Sequence, residues 1–253
     1  MATYLINTLP FDISESDEQA TNPASNLNND FPNMVWKSNG RTGAHVNVRV
    51  DVDAEWDTVA LYDCNLQAGD TVRLRAANSP ATTVSDPLID QTLTVDGETG
   101  ESGNLVFYHG GAIRGLNNVR LDITFAAGNP ATEVQASRLI VGIRLEADGI
   151  DVGSDFNFED PSRIENYRGI QIVDAYDMKQ SWKFSISNVD SVDFVKNWRS
   201  FLRANNGKTI LFIPDTVNGL HHQESILGRI QGQTNAGLVS SDTYRINLYI
   251  REA

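Results

Sequence analysis

At 253 residues the chain can hold two domains of ordinary size or one large all-β domain, either with a sizeable core. A hydrophobic content of 40% with a mean hydropathy of −0.31 describes a soluble globular chain and excludes a disordered one. A net charge of −13 and a pI near 4.6, with Lys and Arg scattered along the chain, exclude a sequence-independent grip on nucleic-acid phosphates or anionic lipid.

The first residues, ATYLINTLPF, read as a short apolar strand. DISESDEQATNPASNLNNDFPN follows, rich in Asn, Ser, Asp and Pro, and reads as loop. A large indole, Trp36, then stands in LNNDFPNMVWKSNGR, among turn formers. From Ala44 the vocabulary changes. Val46, Val48, Val50 and Val52 alternate with Asn47, Arg49 and Asp51, which is the period of a half-buried antiparallel strand. DTVALYDCNL, TVRLRAA, and residues 91–95, 104–108, 119–125 and 138–146 (RLIVGIRLE) continue the series, with Gly, Asp, Asn or Pro clusters between them. Many short strands separated by turn signals predict a β-sandwich or jelly roll.

The acid-rich stretch EADGIDVGSDFNFEDPSR, residues 146–163, reads as a solvated linker. After it, GIQIVDAYDMKQSWKFSISNV carries at least two strands, with Trp182, Phe184 and Ile186 on one face. DSVDFVKNWRSFLRANNGK is the one convincing helix, at about 190–205: Phe194, Val195, Trp198, Phe201 and Leu202 form a stripe at helical spacing. Asp190 or Ser191 can cap its start, and Asn206-Gly207 can supply the left-handed residue that ends it. TILFIPD, ESILGRIQG and DTYRINLYIRE resume the strands.

Catalytic chemistry finds no support in the pattern. No nucleophile elbow, zinc-protease helix, phosphate loop or dinucleotide fingerprint is present. The single cysteine, Cys64, excludes an internal disulfide and a cysteine-only metal site, and it reads as a small core residue. HHQE at 221–224 offers two imidazoles and a carboxylate, but adjacent residues on a strand point to opposite faces, so a solvated loop is the better reading. His109 has no carboxylate at a spacing that would make it a base. Asp155, Asn157 and Glu159 resemble a calcium ligand set by composition, yet lack the Gly and closing Glu of a calcium loop. No signal segment and no apolar run of membrane-spanning length is present, so synthesis in the cytoplasm is expected.

NPASNL (22–27), MVWKS (34–38), HVNVRVDV (45–52), DTVALYDCNL (57–66) and TVRLRAA (71–77), closed by RLIVGIRLEAD (138–148), resemble in order and spacing the discoidin, or galactose-binding-like, β-sandwich. The chain departs from that pattern at DVDAEWD, a longer turn that carries Trp56. WKFSISNV, the helix with WRSFLR, GKTILFIPD, LGRIQG and RINLYIRE, within residues 168–253, resemble minor tail and tail-tip proteins of tailed bacteriophages. The resemblance implies a mainly β fold: a discoidin-like jelly-roll β-sandwich over 1–150, an acidic linker at 151–164, and a β domain with one α-helix over 165–253.

In function it implies a structural component of a tailed-phage virion at the tail tip or distal tail. Such a protein assembles in the host cytoplasm as a symmetric ring with copies of itself and other tail proteins. It is not an enzyme, takes no cofactor or metal, binds no nucleic acid and inserts in no membrane. The alternative is a carbohydrate-binding module that contacts host-surface glycans, with Trp36, Trp56, Tyr108 and His109 as the candidate sugar-binding residues. Against that alternative, a Trp is more often packing than platform. Trp36 is expected to plug the end of the sandwich with its indole N–H on a loop carbonyl. An enzyme that degrades glycans is the third and weakest reading.

Overall fold

The computed structural model describes residues 2–31, 33–95, 104–160, 162–167, 170–174, 178–216, 224–232 and 234–253. β1 (Thr3–Asn7) and β2 (Phe11–Ser16) open the chain, and a 3-10 turn (Ala24–Asn28) leads to the two-residue strand β3 (Trp36–Lys37). β4 (His45–Val50), β5 (Glu55–Cys64) and β6 (Thr71–Ala77) follow, then a short helix α1 (Pro80–Ser85) and β7 (Ile89–Thr94). β8 (Asn104–Arg114), β9 (Asn118–Thr124), β10 (Gln135–Gly142) and β11 (Arg144–Ala147) complete the first half. The second half holds β12 (Asp155–Glu159), the hairpin β13 (Arg163–Tyr167) and β14 (Ile170–Asp174), and the long β15 (Lys179–Asp190). A helix, α2, spans residues 191–204 and is followed by β16 (Thr209–Ile213), β17 (Ile226–Ile230), β18 (Asn235–Leu238) and β19 (Thr243–Glu252).

The fold is mainly β, and its first half is a two-sheet sandwich. One sheet is ordered β2-β4-β9-β6-β7 and the other β3-β10-β5-β8. From β3 to β6, and again from β7 to β10, each strand lies in the opposite sheet from its predecessor, which is jelly-roll connectivity. The alternation in the sequence explains the packing. Val46, Val48 and Val50 of β4 join Val72, Leu74, Leu121 and Ile123 on one inner face, and Val59, Leu61, Leu139 and Val141 supply the other. Burying each such side chain contributes about 1.5–3 kcal/mol. The valine pattern was expected to run through Val52, but β4 ends at Val50 and Val52 is 58% exposed in the following turn. The stretch beginning DISES, read as loop, starts with β2, whose Phe11 is buried against the same core.

The second sheet system takes in both ends of the chain. Its order is β11-β1-β16-β17-β19-β15-β12, with β18 beside β19. β1 is buried on both faces, as a central strand is: Leu5 faces one core, and Tyr4 and Ile6 face another. The outer face of the four-stranded sheet, with Ala60, Tyr62, Leu105 and Ile140, packs on Tyr4, Ile6, Leu211, Ile213 and Leu227. On the far side of the large sheet, Trp182, Phe184, Ile186, Phe212, Ile246, Leu248 and Ile250 pack with Trp198 of α2. Among the described residues, three sheets and the helix α2 therefore stack as four layers, and the β13–β14 hairpin is a separate two-stranded sheet.

This arrangement differs from a division into 1–150, 151–164 and 165–253. β1 and β11 come from the first segment but hydrogen-bond in the sheet built mostly by the last one. The stretch RLIVGIRLE, read as one strand, breaks at Ile143 into β10 and β11, which belong to different sheets. The acid-rich 151–164 contains β12, paired with β15, and the start of the β13–β14 hairpin. Its acids obscured a period-2 pattern: Phe156 faces Trp182 while Asp155, Asn157 and Glu159 face the other way.

α2 begins where expected, with the Asp190 carboxylate accepting from Val192 N at 2.8 Å. Its stripe is only partly inward. Trp198 is 1% exposed, and Phe194, Phe201 and Leu202 are half-buried, but Val195 is 53% exposed. The reason is a π-helical turn over Phe194–Trp198, whose wider winding breaks the 3.6-residue spacing and rotates Val195 toward solvent.

Candidate functional site

The two tryptophans named as candidate sugar-binding residues under the carbohydrate alternative are core residues. Trp36 is 0% exposed and its Nε1 donates to the Asp17 carbonyl at 3.0 Å. Trp56 is also 0% exposed, with Nε1 donating to the Leu116 carbonyl at 2.8 Å. Neither indole can reach a ligand; both plug the sandwich and tie a loop to it, as anticipated for Trp36. Tyr108 is half-buried against the sandwich core. His109 sits opposite Thr58 in the β5–β8 ladder, and its side chain lies outside the described residues, as do His221 and His222. The structure therefore does not assemble Trp36, Trp56, Tyr108 and His109 into one surface.

Cys64 is buried, and burial pushes its thiol pKa up to about 12, so it is no thiolate nucleophile. Among the described residues no group of three or more His, Cys, Asp or Glu side chains could hold a metal ion. Asp155, Asn157 and Glu159, the composition that resembled a calcium set, lie along one face of a strand opposite Lys183, Ser181 and Lys179.

A polar groove on the large sheet, one of several of similar volume on the described surface, gathers polar and charged side chains from four strands. Its volume is about 490 Å³, and it is lined by β12, β15, β18, β19 and the turn at 151–154. The geometry follows from strand alternation. Phe184 and Leu248 go into the core under α2, so Lys183, Ser185, Asn247 and Tyr249 point the other way. Register sets them in two rows across the strands. One row is Asp155, Lys183 and Tyr249; the other is Ser185, Asn247 and Asn235. Tracing the pairs through Arg251, Arg229, Leu227 and Leu211 shows that this face is the one that packs on the sandwich farther along. No sandwich residue lines the groove, so it lies where the large sheet extends past the sandwich.

Hydrogen bonds hold the floor and one end in place. The β15–β19 ladder slips between Ile186 and Val189, with Asn188 at φ +60°, and this bulge frees Ser187 from the ladder. Asp151 then accepts from Ser187 N at 3.2 Å and from Ser187 Oγ at 2.7 Å. Arg245 closes the network, 3.4 Å from Asp151 and donating to Ser187 Oγ at 2.8 Å. Ser185 Oγ donates to Asn247 Oδ1 at 2.6 Å, which holds the Asn247 amide in the groove lining. The Tyr249 hydroxyl donates to Glu159, which also pairs with Arg251 at 2.8 Å. That bond holds the Glu159 carboxyl below its ordinary pKa and the Tyr249 phenol above its own.

The sequence reading passed over Lys183, Arg245, Asn247 and Tyr249, although a signal for them exists. Each occupies the polar half of an alternation whose apolar half was recognised, in WKFSIS and in RINLYI. Only the pairing of those two strands brings the polar halves together.

No protein-family model matches the chain, and no curated protein does. Solved structures are similar to part of it. Chitosan-binding module 1 from a chitosanase/glucanase of Paenibacillus sp. IK-5 is similar at 15% identity and a TM-score of 0.37, over 53% of this chain and 94% of that one. CBM32-3 from a family 31 glycoside hydrolase of Clostridium perfringens is similar at 10% identity and a TM-score of 0.38, over 54% of this chain and 90% of that one. SpGH29 is similar at 12% identity and a TM-score of 0.37, over 55% of this chain and 28% of that one.

Proposed function

We propose that this chain is a non-catalytic carbohydrate-binding protein and that the groove on its large sheet is the binding site. The observation that supports this reading is the groove itself. It has a fixed polar floor, amide and charged groups directed outward from strands, and a tyrosine ring at one side. Ligand sites of this kind combine a few placed polar groups with aromatic surface. Polyhydroxylated ligands suit it because each hydroxyl both donates and accepts, which matches a lining of Asn, Ser, Lys and Asp. Screening the whole chain on a glycan array tests the reading: hits are expected, and Asn247→Ala is expected to weaken them. A blank array rejects it.

We further propose the virion of a tailed bacteriophage as the setting, with the chain at the tail tip or distal tail among copies of itself and other tail proteins. What supports this is the resemblance of residues 168–253, above all GKTILFIPD at 207–215. That motif forms β16, a strand buried on both faces and bonded to β1 and β17. Light scattering of the purified chain, followed by electron microscopy of particles, tests it. A persistent monomer that never enters a particle rejects it.

A further inference from the structure

We propose that the groove takes an uncharged sugar ring, held between Lys183 and Asp155 and stacked on Tyr249; this deepens the carbohydrate reading and rests on it. Charge selects the class. Arg245 is already matched by Asp151 at 3.4 Å. Lys183 and Asp155 stand in register on neighbouring strands, both exposed, and neither pairs with a charged group among the described residues. Their backbones lie a strand apart, about 5 Å, and their side chains carry opposite charges. An anionic ligand would meet Asp155 and Asp151 on a chain of net charge −13, and a cationic one would meet Lys183 and Arg245. Either gains from one of the exposed pair but suffers like-charge repulsion from the other. An uncharged polyol does not, since one hydroxyl oxygen accepts from the ammonium and a neighbouring hydroxyl donates to the carboxylate.

The rest of the site is set before any ligand arrives. The Asn247 carbonyl accepts from Ser185, which fixes the amide in place with its N–H donors and one remaining acceptor lone pair for a ligand. Tyr249 is fixed at its hydroxyl by Glu159, which leaves its ring as a rigid surface for the C–H face of a sugar. Rigid groups lose little freedom on binding, so such a site favours affinity without large contact area.

Isothermal titration of the full chain with three probes of equal length tests the inference: a neutral galacto- or gluco-oligosaccharide, an oligogalacturonate and a chitosan oligosaccharide. The neutral probe is expected to bind at least about tenfold more tightly than either charged one. Lys183→Ala and Asn247→Ala, both exposed positions, are each expected to weaken neutral binding by roughly tenfold with unchanged Tm. A charged probe that binds more tightly, and is still lost in Asn247→Ala, overturns the uncharged class while the carbohydrate reading stands. Neutral binding that both variants retain overturns the assignment to the groove. Failure of every probe to bind overturns this inference and the carbohydrate reading together.

Discussion

Asn7 holds both backbone groups of Ile143: its Oδ1 accepts from Ile143 N at 2.7 Å, and its own N–H donates to Ile143 O at 3.1 Å. Ile143 is the residue between β10 and β11, where the chain leaves the four-stranded sheet for the large one. Leaving one ladder strands an N–H and a C=O, and burying them without partners would cost about 1–3 kcal/mol each. A residue near the start of the chain satisfies both, and so stitches the two sheet systems together.

Gly142, beside that crossing, is required by the close approach. A Cβ there would stand 1.7 Å from the Asn7 carbonyl oxygen, which is backbone and cannot swing aside. Gly142→Ala is expected to destabilise the protein by at least about 1–3 kcal/mol, measured as a lower urea midpoint. A midpoint unchanged from wild type would contradict the crossing described here.

Trp36→Ala removes a fully buried indole and is expected to cost about 3–5 kcal/mol. Trp36→Phe keeps most of the volume but strands the Asp17 carbonyl, so an intermediate loss is expected. Chemical denaturation of the two variants ranks them.

Glu252 has its pKa raised, first by burial and then by Asp63, against a backbone N–H from Gln180 and the charge of Lys179. A carboxyl whose folded pKa lies above its unfolded value binds its proton more tightly when folded. Its favourable contribution is complete below the ordinary carboxylate pKa and is lost as pH rises through the raised one. Glu252→Gln, which keeps an acceptor for Gln180, is therefore expected to raise Tm at pH 7 and to leave it unchanged at pH 4. Equal Tm differences at both pH values would count against the burial of this group.

Cys64 is expected to resist thiol reagents at pH 8 in the folded protein and to react rapidly in 8 M urea, because it is both protonated and enclosed. Timed labelling read by mass spectrometry distinguishes the two states. Fast labelling of the native chain would place the thiol outside the sandwich core.

Much of the local structure was legible. The valines of β4 announce their period, and so do the alternations of β15 and β19. Asp190 marks the start of α2. Trp36 could be placed in the core because the resemblance to the discoidin-like sandwich sets it just before the first long sheet strand, and it is buried there. What misled were elements whose composition outweighed their pattern. β12 is acidic, β2 begins inside a polar run, and the π turn in α2 carries no sequence mark that separates it from an α-turn.

By itself the sequence determined the kind of element and the buried face where alternation was plain, as in β4, β15 and β19, because side-chain alternation is a property of one strand alone. Tertiary structure decided which strands share a sheet. Pairing joins residues far apart in the chain, as when β1 enters between β11 and β16. The same reason governs the site. Lys183 and Asn247 are ordinary surface residues on separate strands, and they become a groove only when β15 and β19 pair and the bulge at Ser187 closes its end.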